Sequence, residues 1–131
     1  MAEPTLAGAM LESARRDAAA YRALAANDAI HDSVLGFHAQ QVVEKAIKAS
    51  LFRHAVFVPR THNIAQLLDV LKDAALPMPP HADEIDSLNP YAVQARYGTL
   101  DAGSLDRHVV GVWLNDVLAW AAGQVNGAGA P

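Results

Sequence analysis

The chain has 131 residues, a formal net charge of −4 and no cysteine. This length fits one domain, the missing cysteines exclude disulfides and thiolate metal sites, and no segment has the ~20 consecutive apolar residues of a membrane span. With 52% hydrophobic residues and 27 alanines, the composition is too apolar for a disordered chain and favours helices. The first residues have neither the basic nor the apolar region of a signal peptide, so we expect a cytoplasmic protein.

Two long helices are predicted in the first half of the chain. The first runs from about Thr5 to Ala26, where apolar residues recur at three- and four-residue intervals. The second runs from about Asp32 to Phe52, and Asp32 or Ser33 could cap its start. One broad apolar arc follows it, made of Leu35, Ala39, Val42, Val43, Ala46 and Ile47. Residues 54–59 include the β-branched Val56 and Val58 and end in proline, which predicts an extended loop.

The next segments are shorter. A third helix, capped by Thr61, is predicted to reach about Ala74, and the proline-rich residues 77–80 stop it. A short helix is expected over residues 82–88, ended by Asn89-Pro90. Residues 91–97 fit either one or two helical turns or an ordered loop.

A break at residues 98–103 precedes the last predicted helix, which Ser104 would cap and which reaches about Val125. Trp113 and Trp120 lie two turns apart on it, as core or dimer-interface residues do. We therefore predict an all-α, antiparallel bundle of four to five helices. It forms one domain over residues 1–131, with an ordered part over about 5–125 and a flexible tail over 126–131.

The net charge averages two unlike regions. From His38 to His62, four basic residues stand against Glu44, a balance of +3. From Asp69 to Asp86, five acidic residues stand against Lys72, a balance of −4. A basic region is thus followed by an acidic one.

The second helix carries the most informative residues. His38, Gln41, Lys45 and Lys48 fall within about 80° of helical arc, away from the apolar side; we call these four residues the α2 polar stripe. An imidazole, an amide and two ammonium groups in a row suit a phosphate or a carboxylate.

Four later residues extend the same chemistry. Arg60 and His62 lie just before a predicted helix N-terminus, where free backbone N–H groups and a positive dipole favour anions. Arg96 adds a guanidinium and Tyr97 a ring for stacking.

Structural explanations stay open for these residues. Glu44 could pair with Lys48 one turn on, leaving the stripe as an ordinary solvated surface. Alternatively, Glu44 and Arg96 could form a buried structural pair. We expect plain surface or core roles for His54, His81 and His108. No histidine pair has zinc-ligand spacing, so we predict neither a metal nor a cofactor.

Residues 37–49, with the pattern Gln-Gln-x-x-Glu-Lys-x-x-Lys-Ala, resemble the signature helix of HEPN domains (higher eukaryotes and prokaryotes nucleotide-binding). Residues 59–64 are similar to the next element of that family, and Ala95-Arg96-Tyr97 to its later Arg-Tyr element. Gly98 stands where many relatives have proline. The resemblance spans about residues 10–123.

The resemblance implies a bundle of four or five helices that forms a homodimer. Small prokaryotic members are often encoded beside a minimal nucleotidyltransferase, in pairs that look like toxin–antitoxin systems. Many other members are RNases with an Arg-x(4–6)-His motif, but no arginine of this chain has a histidine at that spacing.

Three hypotheses follow, and only the second makes the chain an enzyme. It binds a nucleotide or RNA phosphate through the α2 polar stripe, Arg60, His62, Arg96 and Tyr97. Alternatively, it is a metal-independent RNase without the usual motif, in which His38 or His62 transfers protons and Arg96 or Lys45 stabilises the transition state. As a third role, it docks a nucleotidyltransferase.

Overall fold

A computed structural model describes residues 5–97 and 104–127, and in the helix that ends at Tyr97 it describes side chains up to Val93. Five α-helices form a bundle: α1 (Leu6–Ala25), α2 (Asp32–Arg53), α3 (Ile64–Asp73), α4 (Asn89–Tyr97) and α5 (Arg107–Val125). A short 3₁₀ helix, Ile85–Leu88, leads directly into α4. The described residues contain no strand, so the predicted all-α bundle is confirmed.

Helix α2 is the centre of the bundle, and the other four helices all pack against it. The predicted apolar arc is confirmed, because all six of its residues are fully buried. Small residues allow α1 to pack closely against α2: Ala14 and Ala18 of α1 are buried, as are Ala39 and Ala46 of α2. Alanine thus serves this fold both as a helix former and as a small contact residue.

The close approach of α4 to α2 requires a glycine. Gly36 of α2 lies under the ring of Tyr91, and a Cβ atom at position 36 would come within 2.2 Å of the ring carbons. Tyr91 itself is buried. Packing at this point therefore leaves no room for a side chain on α2.

Several predicted helix ends differ from those observed. His31, not Asp32 or Ser33, caps α2 through its ring Nδ1. Asn63 rather than Thr61 caps α3, and Asp106 rather than Ser104 caps α5. Asn89-Pro90 begins α4 where we expected it to end a helix. Residues 91–97 are helical, so of the two alternatives predicted for them, helical turns or an ordered loop, the first is observed.

Hydrogen bonds hold the start of α5 against the loop between α1 and α2. The Arg107 guanidinium donates to Asp32 at 3.0 Å and to the backbone carbonyls of Ala25 and Ile30 at 3.0 and 2.6 Å. It therefore satisfies the carbonyl of Ala25, which the end of α1 leaves without a helical partner, and a second carbonyl in the loop that follows. The backbone N–H of Leu105 donates to the same Asp32 carboxylate and, with Arg107, lowers its pKa below the usual value.

The phenol of Tyr21 donates to the carbonyl of Arg107 at 2.7 Å. Burial raises the pKa of Tyr21 to about 12, because the phenolate would lose its hydration. This bond joins the C-terminal part of α1 to the first turn of α5.

The two tryptophans of α5 are partly buried and pack against the core, as one of their two predicted roles requires. The predicted loop over residues 54–59 is observed as a turn followed by irregular chain. The predicted break over residues 98–103 and the last four residues of the predicted tail lie outside the described residues. Among the residues described, no helix combines the length and apolar character that crossing a bilayer requires.

Candidate functional site

The first half of the candidate site is a cluster around Asp17 of α1. Its carboxylate accepts hydrogen bonds from Nδ1 of His38 at 3.0 Å and from Nζ of Lys45 at 2.6 Å. The side chains of Asp17, His38 and Lys45 are 15%, 25% and 23% exposed. Because an ionised carboxylate only accepts, the His38 proton is on Nδ1. Two members of the α2 polar stripe therefore line the seam between α1 and α2.

The second half is a cluster around Glu44, whose side chain is 5% exposed. It accepts from Nζ of Lys48 at 2.9 Å and from Nδ1 of His62 at 3.0 Å. A third hydrogen bond comes from Nε2 of Gln40 at 3.0 Å. The predicted pairing of Glu44 with Lys48 is thus observed, but within a larger network that also includes the segment before α3.

The buried amide of Gln40 links this network to the stripe. Its Nε2 also donates to the backbone carbonyl of His62 at 2.8 Å, and its Oε1 accepts from Gln41 at 2.7 Å. All four residues of the stripe are therefore held by contacts within the fold, and a ligand would meet oriented side chains rather than mobile ones.

The charges of the two clusters balance. Two carboxylates, Asp17 and Glu44, face two ammonium groups, Lys45 and Lys48. Each histidine presents Nδ1 to a carboxylate, and no hydrogen bond within the described residues uses the Nε2 of either ring. This arrangement fixes the tautomer and leaves Nε2 to take a proton or accept a hydrogen bond.

The backbone N–H groups at the N-terminus of α3, which we expected to be free for an anion, donate to side chains within the fold. The backbone N–H of Ile64 donates to Asn89 at 2.8 Å, and that of Ala65 donates to Asn63 at 2.9 Å. The backbone donors of the first turn are thus occupied by asparagine side chains, and an incoming anion would find none free. Arg60 just before this turn is exposed.

Arg96 and Tyr97 belong to the last turn of α4, and their side chains lie beyond those the structure describes. The predicted pair of Glu44 with Arg96, and the predicted ligand contacts of both residues, stay predictions.

Sequence reasoning missed Asp17 and Gln40 as members of the site. Asp17 follows two arginines on the polar side of α1, where its charge resembles that of any solvated residue. Gln40 lies within the signature helix four residues before Glu44, and this helical spacing was the available signal.

Two other histidines form hydrogen bonds outside the two clusters. His54 Nε2 contacts Gln124 at 3.1 Å, and His81 Nε2 contacts Asp116 at 2.7 Å. Across the described ranges, no three histidine or carboxylate side chains converge on a point where they could hold a metal ion.

Comparison with known proteins gives one match. The sequence model of the family described as HEPN domain matches residues 7–118, which is most of the chain. Neither the curated proteins nor the solved structures contain a match. The matched range includes every residue of both carboxylate clusters.

Proposed function

The chain belongs to the HEPN family, and from that premise we propose that it binds a phosphate-bearing ligand, a nucleotide or an RNA strand, along the α2 polar stripe. One observation carries the proposal: two histidines held at Nδ1 by carboxylates flank two oriented lysines. An ammonium group has three N–H donors, so Lys45 and Lys48 keep donors for a phosphate after pairing with Asp17 and Glu44. Arg60, His62, Arg96 and Tyr97 would extend the contacts to the rest of the ligand.

Partial burial supports the assignment to the lysines. Lys45 and Lys48 are 23% and 14% exposed, so charge interactions there are screened less than on an open surface. Protonation of either imidazole at Nε2 would add a donor and a positive charge facing the phosphate.

Calorimetric titration with ATP, GTP and a short RNA tests this proposal. We expect binding that Lys45→Ala with Lys48→Ala reduces by about tenfold or more. Lys72→Ala on α3 removes an exposed lysine from another surface and is the matched control. The absence of binding at millimolar concentration, or a double variant that binds normally, would contradict the proposal.

The second candidate is a metal-independent RNase, and the two histidine–carboxylate pairs favour it specifically. A carboxylate at Nδ1 orients the ring and stabilises the imidazolium that forms when Nε2 takes a proton. His38 or His62 would then act as base or acid, and Lys45 or Arg96 would stabilise the negative charge on the phosphoryl oxygens in the transition state.

Incubation with total RNA distinguishes this enzyme from a binding module. We expect His38→Ala or His62→Ala to abolish cleavage, whereas His108→Ala, which changes an exposed histidine of α5, leaves it intact. Cleavage that survives in both site variants would indicate a contaminating nuclease.

We further propose that the chain forms a homodimer and acts in the cytoplasm as the partner of a minimal nucleotidyltransferase, in a toxin–antitoxin-like pair. The exposed carboxylates of residues 69–86 support this role, because a charged surface steers association. Light scattering tests the dimer, and co-purification with the product of an adjacent reading frame tests the pair. A monomer in solution would contradict the proposed homodimer. The absence of a neighbouring nucleotidyltransferase gene would contradict the proposed pair.

A further inference from the structure

A cavity of about 240 Å³ opens beside His62, between the segment before α3 and the first turns of α4. It is lined by Thr61, His62, Asn63, Asn89, Ala92 and Val93. The volume is below the ~300 Å³ at which pockets for whole drug-sized ligands begin, so it suits a single ring system. We infer that this cavity is a nucleobase subsite that prefers keto bases, guanine and uracil, over adenine and cytosine. The inference rests on the proposed binding of a nucleotide or RNA.

The orientation of the two asparagine amides decides the chemistry of the cavity. Asn63 Oδ1 accepts from the backbone N–H of Ala65 at 2.9 Å, and Asn89 Oδ1 accepts from that of Ile64 at 2.8 Å. A backbone N–H can only donate, so the oxygen of each amide must face α3. Asn89 Nδ2 then donates to Asn63 Oδ1 at 3.0 Å, which agrees with both assignments.

The groups that Thr61, Asn63 and Asn89 leave for a ligand are therefore donors. Both N–H groups of Asn63 Nδ2 and one of Asn89 Nδ2 have no partner among the described residues. Thr61 Oγ1 accepts from the backbone N–H of Asn63 at 3.0 Å, which leaves its own hydroxyl proton to donate. The amide oxygens are occupied, and Ala92 and Val93 offer an apolar wall for the face of a ring.

A donor-rich cavity matches the acceptor edges of keto bases. Guanine presents O6 and N7, and uracil presents O4, whereas adenine and cytosine place an amino donor at the equivalent position. An amino group would face the amide donors of Asn63 and leave both unpaired. We expect this mismatch to reduce affinity by roughly tenfold, the value of about one hydrogen bond.

The test compares GMP and UMP with AMP and CMP on the full chain, with ribose 5-phosphate as the probe that lacks a base. The expected result is an affinity about tenfold higher for the keto nucleotides. Oligouridine and oligoadenosine hexamers identify the source of the base: the same preference in hexamers, but not in mononucleotides, assigns the site to RNA. Equal affinity for the four mononucleotides, together with equal affinity for the two hexamers, overturns the subsite.

Two isosteric variants separate hydrogen bonding from charge. Asn63→Asp keeps the helix cap, since aspartate caps as well as asparagine, but replaces the amide donors with an acceptor. We expect the ratio of keto to amino affinity to fall to about one or below. Gln66→Glu makes the same chemical change at an exposed position of α3 outside the cavity and should leave the ratio unchanged.

The outcomes distinguish this inference from the proposed function. If ribose 5-phosphate and all four nucleotides bind equally, and the two hexamers also bind equally, the phosphate site stands and the base subsite is wrong. If none of these probes binds, both are wrong. If Asn63→Asp and Gln66→Glu change the ratio equally, charge explains the effect and the subsite is overturned.

Discussion

His62 donates from Nδ1 to the buried carboxylate of Glu44 at 3.0 Å, and this bond joins the segment before α3 to the middle of α2. Gln40 and Lys48 donate to the same carboxylate. Glu44 therefore stabilises the fold and also positions two residues of the candidate site. Loss of this carboxylate should therefore lower the stability of the fold.

Glu44→Ala should lower the free energy of unfolding by about 2–4 kcal/mol, because it leaves the partly buried Lys48 and the buried Gln40 without their acceptor. Urea denaturation followed by circular dichroism measures the change. Glu12→Ala is the matched control: Glu12 is 60% exposed and pairs with Arg15 at 3.9 Å, so its loss should cost less than about 1 kcal/mol. Equal effects of the two variants would contradict the role assigned to Glu44.

The sequence predicted the architecture because helical period and alanine content are local signals. The apolar arc of α2 follows from spacing alone, and so does the pairing of Glu44 with Lys48 four residues later. The contact of Glu44 with His62 could not be predicted in the same way, since it depends on where an irregular loop returns to α2. Asp17 was missed for a similar reason, because helix packing rather than spacing brings it to His38 and Lys45.

Helix starts were less predictable, because several capping residues stand side by side and tertiary contacts choose among them. Asp32 could have capped α2, but its carboxylate accepts from Arg107 and Leu105, and His31 caps instead. Similarly, Asn63 rather than Thr61 caps α3, where Asn89 supports it through a hydrogen bond. These choices involve residues more than 20 positions apart.

Asp17→Asn should strengthen the binding of a phosphate-bearing ligand. The carboxylate of Asp17 competes with the phosphate for Lys45, and its negative charge repels the ligand. Removing the negative charge of Asp17 close to the bound phosphate should improve the free energy of binding by about 1 kcal/mol, which is roughly fivefold in affinity. Titration of both proteins with the same nucleotide measures it, with Asp73→Asn at an exposed position as control. Weaker binding by Asp17→Asn would show that Asp17 orients Lys45 rather than competing for it.

Gly36→Ala should destabilise the bundle by about 1–3 kcal/mol or more, because the new methyl group would overlap the ring of Tyr91. Gly111→Ala on α5 is the matched control, since its Cβ would meet Tyr21 at an ordinary 3.7 Å. There the higher helix propensity of alanine should raise stability by up to about 1 kcal/mol. Thermal denaturation should therefore move the two melting temperatures in opposite directions. A shared direction would contradict the packing described at Gly36.

Ala55→Gly and Ala75→Gly should each raise stability by about 0.5–1 kcal/mol. Both alanines have a φ of 57°, the left-handed region that glycine occupies without steric cost. Each ends a helix in a Schellman motif; after α2, the N–H of Val56 donates to the carbonyl of Leu51 at 3.0 Å. Ala19→Gly, at an exposed position within α1, should instead lower stability by about 1 kcal/mol. Chemical denaturation of the three variants measures these changes. A loss of stability from the glycine at position 55 or 75 would contradict the prediction.

Tyr21→Phe should change how stability depends on alkaline pH. Burial raises the pKa of Tyr21 to about 12 from the usual tyrosine value of 10.0, so between these pH values the unfolded chain loses the phenolic proton before the folded chain does. Ionisation then favours the unfolded state, and the stability of the native sequence should fall as pH rises from about 10 towards 12.

At pH 8 the variant should be less stable by about 1 kcal/mol, because it lacks the hydrogen bond from the phenol to the carbonyl of Arg107. As the pH rises above 10, that difference should shrink, since only the native sequence carries the titrating phenol at position 21. The other two tyrosines titrate in both proteins and cancel in the comparison. Urea denaturation from pH 8 to 11.5 measures both curves; parallel curves would mean that Tyr21 ionises as readily in the folded chain as in the unfolded one.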